Sequence, residues 1–599
     1  MSYRAPVDDM AFTLKQVAGL SEMLEQGAYP DLADDLVEAI LEEAGRFATE
    51  EIAPRNAKAD MEGCQLQENG TVSTPEGWKE LYQTWAEGGW NALTGPEEFG
   101  GQGLPLQMAA AAMDMWNQGS MGFAIGPTLT MGSVEALEKH ASKELKDKYL
   151  AKLVSGEWMG TMNLTEPSAG SDLNAMRTKA EPVGDGTYKI IGQKIFITYG
   201  DHELTDNIIH LVLARLPDAP AGTRGISLFL VPKYIVNDDG SLGEKNDLRA
   251  AGVEHKMGIH ASATCTMAFG DNGGAIGWLI GEENRGLACM FTMMNNARLM
   301  VGIQGVGVAE RATQQAEAYA AERKQGKRVG APKDGEMEPI LVHPDVKRNL
   351  MTMKALTEAV RSISYRCAFA LDQTNLALAK GDAKSAKHWQ ERAGILTPIA
   401  KAFSTDIGSE VASIGVQVHG GMGYIEETGA AQHMRDARIA QIYEGTNGIQ
   451  AIDLVTRKLP LSDGAAVKEM LVEMSIWAKR AAESEDGRLA LCGEEMIESL
   501  EDLNFATEWL LSSLKDGKPN LALAGATPFL RLFGLTLGGI LMIKGTILSS
   551  EQQHSSAAKR LALLRFYCVN LLPQTTSLLD AIVNGAESVM ETDVVFDGL

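Results

Sequence analysis

The chain has 599 residues, 45% apolar and 22% charged, an ordinary balance for a soluble globular protein of three or four domains with ample core. Its 54 basic and 79 acidic residues leave a net charge of -25, which argues against nucleic acid or an anionic membrane as a general partner, so an anionic ligand needs a local basic pocket. The six cysteines, Cys64, Cys265, Cys289, Cys367, Cys492 and Cys568, form no CxxC pair and no metal-ligand spacing, and read as reduced thiols of a cytoplasmic protein.

Residues 1–34 read as an N-terminal extension with acidic Asp8 and Asp9 and no apolar core of signal-peptide type. From 35 to 159 the pattern is helical: the stretch Leu32 to Leu41 already carries apolar residues at helical spacing, and the glycine-rich segment Phe99 to Leu104 interrupts the run. Between 160 and 281 the texture changes to short β-like runs (Tyr188 to Gly192, Asn207 to Leu213, Ile226 to Pro232) separated by turn residues, which predicts a small barrel or sandwich. Long helical patterns return from 282 to 460, one of them holding Asn295-Asn296-Ala297-Arg298. Pro460 and Leu461-Ser462-Asp463-Gly464 look like a linker, and 461–599 reads as an additional helical domain. Its apolar run Leu532 to Ile543, between Arg531 and Lys544, is shorter than the roughly 20 residues needed to span a bilayer and reads as a buried helix, not a transmembrane segment.

The most informative stretch runs from Arg435 to Gln450, because it puts one carboxylate, Glu444, at a glycine break between two helix-like segments. Burial on such a turn disfavours the charged carboxylate and raises its pKa toward the range of a general base. Gly445 permits close approach of a ligand, and Thr446 can donate a hydroxyl or cap the next helix. The plainer alternative is an acidic first-turn residue beside a capping threonine.

Three further stretches bear on the choice. Thr161 to Leu173 contains Pro167, Gly170 and small hydroxyl residues that let backbone amides and hydroxyls converge on a polar ring edge or a pyrophosphate. Lys194 to Gly200 carries the aromatic Phe196, and Gln417 to Tyr424 contains a Gly420-Gly421 pair. Together with Tyr443-Glu444-Gly445-Thr446, in this order, they resemble the motifs of the flavin-dependent acyl-CoA dehydrogenases. The resemblance covers about residues 35 to 460. With the appended helical domain and the opening Tyr3 to Met10, it looks like the family's long bacterial branch, some of whose members act on 3-methylmercaptopropionyl-CoA and others on straight-chain acyl-CoAs.

The resemblance implies a mainly α fold with a central β domain (helical domain, β-barrel, helical bundle) plus the extra C-terminal helices. It implies FAD as cofactor and α,β-dehydrogenation of an acyl-CoA to a trans-2-enoyl-CoA. Glu444 matches the base that removes the α proton. Met162, Leu164, Thr165, Ser171, Phe196, Thr198, Arg323, Gln417, Gly420, Gly421, Thr446 and Gly448 match FAD contacts, those of Arg323 and the Gly420-Gly421 loop being made across a subunit boundary. Ser171, Asn295, Arg298 and Gly445 match substrate contacts. The sequence departs from the usual pattern at Phe196 (commonly tryptophan), Asn295 (aspartate), Gln325-Gly326 (threonine-phenylalanine) and Gly448 (glutamine or glutamate). Some relatives carry the base just before the arginine matching Arg298; here that residue is Ala297, which cannot take a proton. Glu97 is a second candidate carboxylate, or else a solvent-facing loop acid.

A positioned base is worth about 10²- to 10⁴-fold, too little for so weak an acid as an α carbon, so hydrogen bonds to the thioester oxygen must supply the rest. The family assigns these to the Glu444 amide and a ribityl hydroxyl of FAD. The resemblance also implies an electron-transfer flavoprotein as electron acceptor, a homodimer and a cytoplasmic location. Two other readings share the fold: an acyl-CoA oxidase, and a relative that binds nucleic acid through a basic C-terminal domain. The latter conflicts with Glu483, Glu485, Asp486, Glu494, Glu495, Glu498 and Glu501 in the tail.

Overall fold

A computed structural model describes residues 3–591, 595 and 596. The chain is mainly helical with one central β domain, and its packing separates two units. One comprises the described parts of Met1–Gly45, Ala110–Gln118 and Arg298–Leu599; the other comprises Arg46–Ala109 and Gly119–Ala297.

The second unit holds an eight-stranded sheet: β1 (Met159–Asn163), β2 (Lys179–Pro182), β3 (Tyr188–Thr198), β4 (Ile208–Arg215), β5 (Ile226–Pro232), β6 (Leu248–Val253), β7 (Thr264–Phe269) and β8 (Ala275–Ile280). The strand order is β6-β7-β3-β8-β5-β4-β1, with β2 paired to both β3 and β4. Strands β4 and β5 are buried along nearly their whole length, because they lie between two cores. Ile209, Leu211, Leu213, Leu228 and Leu230 face a cluster that includes Tyr149, Leu150 and Leu153 of the helix Lys143–Ser155. The intervening Val212, Ala214, Phe229 and Val231 face Ile190, Met267 and Phe269 across the sheet. Period-2 alternation therefore serves two apolar surfaces, which is why these strands read as unbroken apolar runs. β3 alternates buried and exposed residues instead, and a register shift opposite Cys265 and Met267 bends its end at Phe196.

In the first unit the long helices are α1 (Gly286–Glu322, which enters this unit at Arg298), α2 (Pro344–Ala379) and α3 (Ala383–His419). α3 starts on Asp382, whose side chain accepts from the Ser385 amide. Two short helices follow, α4 (Ala430–Ile439) and α5 (Asn447–Asp453). Where α1 crosses α3 there is no room for side chains: a Cβ on Gly302 would lie 2.4 Å from the Ala400 carbonyl oxygen, and one on Gly305 would lie 2.4 Å from that of Ser404. The small residues bring the two backbones together beneath the α4–α5 turn.

The C-terminal residues form α6 (Ala465–Ala482), α7 (Gly487–Lys515), α8 (Ala526–Glu551), α9 (Ala557–Asn570) and α10 (Gln574–Val583), with a short helix Pro519–Ala524 between α7 and α8. The apolar run at 532–543 belongs to α8, a helix of 26 residues that is long and apolar enough to cross a membrane. The expectation that this run is too short to span a bilayer is therefore corrected, because the helix extends beyond the run at both ends. Burial is what distinguishes this helix: 89% of its most apolar window is enclosed by the fold, with Gly534 against Phe403 and the Tyr567 hydroxyl donating to the Leu535 carbonyl at 2.7 Å.

The N-terminal residues pack into the same unit. Arg366 donates to the Ala18 carbonyl at 2.9 Å and Lys544 to that of Val17 at 2.8 Å, both at the end of the π-helical turn Thr13–Ala18. Tyr3 donates to Gln118, which in turn donates to Asp114.

Candidate active site

Glu444 sits in the turn between α4 and α5, closed by the Asn447 amide donating to the Gln441 carbonyl at 3.0 Å. Its φ is +57° and that of Gly445 is +84°, so two successive residues take the left-handed conformation. For a non-glycine residue this costs roughly 1–2 kcal/mol and persists only where the surroundings enforce it. The enforcement comes from below the turn. Lys401 of α3 donates to the Gly445 carbonyl at 2.8 Å and to Asn447 Oδ1 at 2.8 Å, and Gln450 Nε2 donates to the Glu444 carbonyl at 3.3 Å. Thr446 caps α5, its hydroxyl accepting from the Ile449 amide at 3.2 Å. A Cβ at Gly445 would lie 2.7 Å from Gln450 Nε2, so a side chain here would displace the amide that holds the Glu444 carbonyl, besides straining the left-handed backbone.

The Glu444 carboxyl is half-buried, and desolvation raises its pKa against the opposing pull of Arg298 and Lys401. Arg298 on α1 is buried, with Nη1 3.7 Å from Asp453 Oδ2 and Nε without an acceptor among the described residues. Burial depresses the Lys401 ammonium to about 7, opposed by Glu444 and Asp406. Tyr443 donates to Gln304 of α1, and burial pushes its phenol upward. A carboxylate with a raised pKa, reachable by a ligand and within the field of Arg298 and Lys401, can accept a proton from a substrate.

The other unit carries a second cluster. In the loop after β1, the backbone amides of Arg177 and Thr178 donate to the Glu166 carboxylate at 2.6 and 3.0 Å, as does the Thr178 hydroxyl at 2.6 Å. Glu166 also pairs with Lys194 of β3 at 2.9 Å, and Lys194 donates to the Leu164 carbonyl at 3.1 Å. Loop and strand are thus tied by a buried ion pair. Beside it, Phe196 is 59% exposed with φ +61°, the Thr165 and Thr198 hydroxyls have no hydrogen-bond partner among the described residues, Ser171 is exposed, Met162 is buried and Leu164 is half-buried. An open aromatic face next to unpaired hydroxyls suits a planar ring with a polar edge.

Arg323, Gln417, Gly420, Gly421 and Gly448 are all exposed in the first unit, with Met422, Tyr424 and Ile425 exposed beside the glycine pair. In the second unit, Asn295 is exposed and its side chain makes no hydrogen bond among the described residues; the neighbouring Asn296 instead donates to Glu135 of the same unit. Glu97 is exposed, as a loop acid would be. Sequence reasoning missed Lys401, Gln450 and the Lys194–Glu166 pair. The available signal was a single lysine in each of two otherwise apolar runs, Ile399 to Phe403 and Ile195 to Ile197 with its preceding Lys194. His388, Glu469 and Glu473 also converge, but buried Arg392 pairs with Glu473 at 2.7 Å and supplies the local cation.

The chain matches the N-terminal domain of acyl-CoA dehydrogenases over residues 34–157, their middle domain over 161–272 and their C-terminal domain over 284–459, and an acetyl-CoA dehydrogenase C-terminal-like domain over 470–593. It is 45% identical to the 3-methylmercaptopropionyl-CoA dehydrogenase of Ruegeria pomeroyi over 538 residues, 89% of each chain. The chain belongs to the acyl-CoA dehydrogenase family. A butyryl-CoA dehydrogenase of Syntrophomonas wolfei is 34% identical over 97% of each chain. The acyl-CoA dehydrogenase of Bacillus anthracis, crystallised with FAD, shares the fold with a TM-score of 0.74 at 22% identity, over 94% of this chain and 90% of that one. As an acyl-CoA dehydrogenase the protein is an FAD-dependent oxidoreductase acting on acyl-CoA thioesters by α,β-dehydrogenation. Its C-terminal helices, outside the core expected from the motifs, have a family domain of their own.

Proposed function

We propose that Glu444 is the base of this dehydrogenation and that 3-methylmercaptopropionyl-CoA is among the substrates. The observation that carries the first part is the Glu444 turn: a half-buried carboxylate with a raised pKa, held in a left-handed conformation and flanked by Arg298 and Lys401. Glu444 removes the α proton, and its amide, directed by the same turn, donates to the thioester oxygen as enolate charge develops. FAD, when bound, supplies the acceptor for the β hydride. Ser171, Asn295, Arg298 and Gly445 contact the substrate in this reading; the unpaired Nε of Arg298 is a donor suited to a carbonyl oxygen.

Met162, Leu164, Thr165, Ser171, Phe196 and Thr198 form one set of FAD contacts, Thr446 and Gly448 a second. Arg323, Gln417, Gly420 and Gly421 reach the FAD of a neighbouring subunit, and the exposed Met422, Tyr424 and Ile425 suit burial in a homodimer. An electron-transfer flavoprotein as electron acceptor and a cytoplasmic location follow from the family resemblance. The thioether substrate is favoured by the relative at 45% identity; the butyryl-CoA relative supports a straight-chain alternative.

The test is anaerobic titration of FAD-loaded protein with a panel of acyl-CoAs including 3-methylmercaptopropionyl-CoA, following flavin bleaching in the wild type and in Glu444→Gln. Bleaching by the wild type and a loss of at least about 10²-fold in a folded, FAD-loaded variant is the expected result. Equal rates remove Glu444 as the base, and the thioester that bleaches fastest ranks the substrates. Rapid reoxidation by oxygen after bleaching points to an oxidase instead.

A further inference from the structure

We propose that Lys401 is a positioning residue of the catalytic turn, holding the Gly445 carbonyl so that the Glu444 amide and carboxylate keep their reactive direction. The inference rests on the reading of Glu444 as the base.

Lys401 has no exposed surface, in a stretch of α3 where Ile399, Ala400, Ala402 and Phe403 are also fully buried. A lysine in such a place loses hydration that nothing apolar returns, so its retention asks for a polar task. Its two acceptors define that task. One is the Gly445 carbonyl, and the other is Asn447 Oδ1, each at 2.8 Å. The Asn447 amide is itself oriented, since its Nδ2 donates to Asp406 Oδ1 at 2.7 Å and to the Ala402 carbonyl at 3.1 Å, which leaves Oδ1 facing the ammonium.

The geometry has a consequence for Glu444. Its own carbonyl is taken by Gln450 and the next one by Lys401, so both peptide planes after the Glu444 Cα are fixed from the protein side. The left-handed conformation at Glu444 and Gly445 cannot relax without breaking one of these bonds. The close crossing of α1 and α3 at Gly302 is what brings Lys401 up to the turn, since a Cβ there would already lie 3.4 Å from the Lys401 Cα. The charged and titratable groups that act on the Glu444 carboxyl are Arg298 from α1, Lys401 from α3 and Tyr443 beside it; behind them, Asp453 and Arg457 act on Arg298, Asp406 on Lys401 and Asp436 on Tyr443. Of these, Arg298 and Lys401 are the cations that favour ionised Glu444.

Two variants separate positioning from bulk. Lys401→Gln keeps an N–H donor and removes the charge, while Lys401→Met removes both. Flavin reduction would be followed by stopped flow across pH with one acyl-CoA, together with the pH dependence of carbodiimide labelling of Glu444 read by mass spectrometry, in FAD-loaded protein of unchanged melting temperature. The expected result is a loss of about tenfold or more in the limiting reduction rate of Lys401→Met with little change in the half-saturating thioester concentration, and partial recovery in Lys401→Gln. Removing a cation raises the pKa of Glu444, so the acid limb and the labelling midpoint move to higher pH in both variants.

Wild-type rates and an unmoved midpoint in Lys401→Met overturn the proposal. Equal losses in the two variants without a shift in midpoint also overturn it, because they mark a merely structural lysine. If the wild type is bleached by no thioester, the base assignment falls, while the labelling midpoint still reports on Lys401.

Discussion

Lys194 Nζ lies 2.9 Å from Glu166 Oε1, with side-chain exposures of 0% and 4%. Burial draws the Lys194 pKa down to about 8; at Glu166 burial pushes upward but is outweighed by the Lys194 ammonium and the hydrogen bonds, which hold the carboxyl below its ordinary value. The pair is therefore ionised at neutral pH, and it ties the loop after β1 to the strand carrying Phe196. Removing one partner strands the other as a buried charge, which costs about 3–5 kcal/mol in comparable sites. Lys194→Met should lower the melting temperature and leave the purified protein with less FAD per chain, whereas Lys189→Met, on the exposed face of the same strand, should change neither.

Phe196 should show stability and cofactor binding moving in opposite directions. Its φ of +61° is strained for any residue with a Cβ, and 59% of its surface is open. Phe196→Gly relieves that strain, so the FAD-free protein should melt at the same temperature or higher. FAD affinity, measured by fluorescence titration, should fall because the aromatic face is lost. A drop in both quantities would show that Phe196 packs as core.

The α1–α3 crossing predicts a coupled defect. Gly305→Ala places a methyl about 2.4 Å from the Ser404 carbonyl oxygen, and the helices must separate. Overpacking of this kind costs about 1–3 kcal/mol. Because Ser404 follows Lys401 by one helical turn, flavin reduction should slow as well. Gly487→Ala, at the exposed start of α7 with nothing within 4 Å of the added methyl, is the control and should be silent in both assays.

Lys544 gives a pH signature. It is buried against the N-terminal segment, donating to Val17, and desolvation lowers its pKa to about 8 from an ordinary 10.5. Between those values the unfolded chain binds more protons than the folded one, so this group makes stability rise with pH over that window. Lys544→Met should reduce the slope of melting temperature against pH between about 8 and 10.5 relative to the wild type, a window that lies where Lys194 contributes in the same sense. An unchanged slope would mean that the ammonium is hydrated.

Much of this protein was legible in its residues. The helical spacing, the apolar runs of β4 and β5, the glycine break after Glu444 and the capping Thr446 are local patterns, governed by backbone sterics and by 2.0 and 3.6 residue periods that a short window contains. The four motifs likewise carry the family in their local chemistry. What no window contains is the set of partners brought from elsewhere. Lys401 reaches Gly445 across 44 residues, Lys194 reaches Glu166 across 28 and Lys544 reaches Val17 across 527. Nor could composition tell a membrane-length helix from a core helix, since both are equally apolar and only enclosure by neighbouring helices distinguishes α8. The sequence by itself determined where a carboxylate and an aromatic face would be offered. Tertiary packing decided their charge state and direction, because desolvation and hydrogen bonding depend on which atoms are near in space rather than near in the chain.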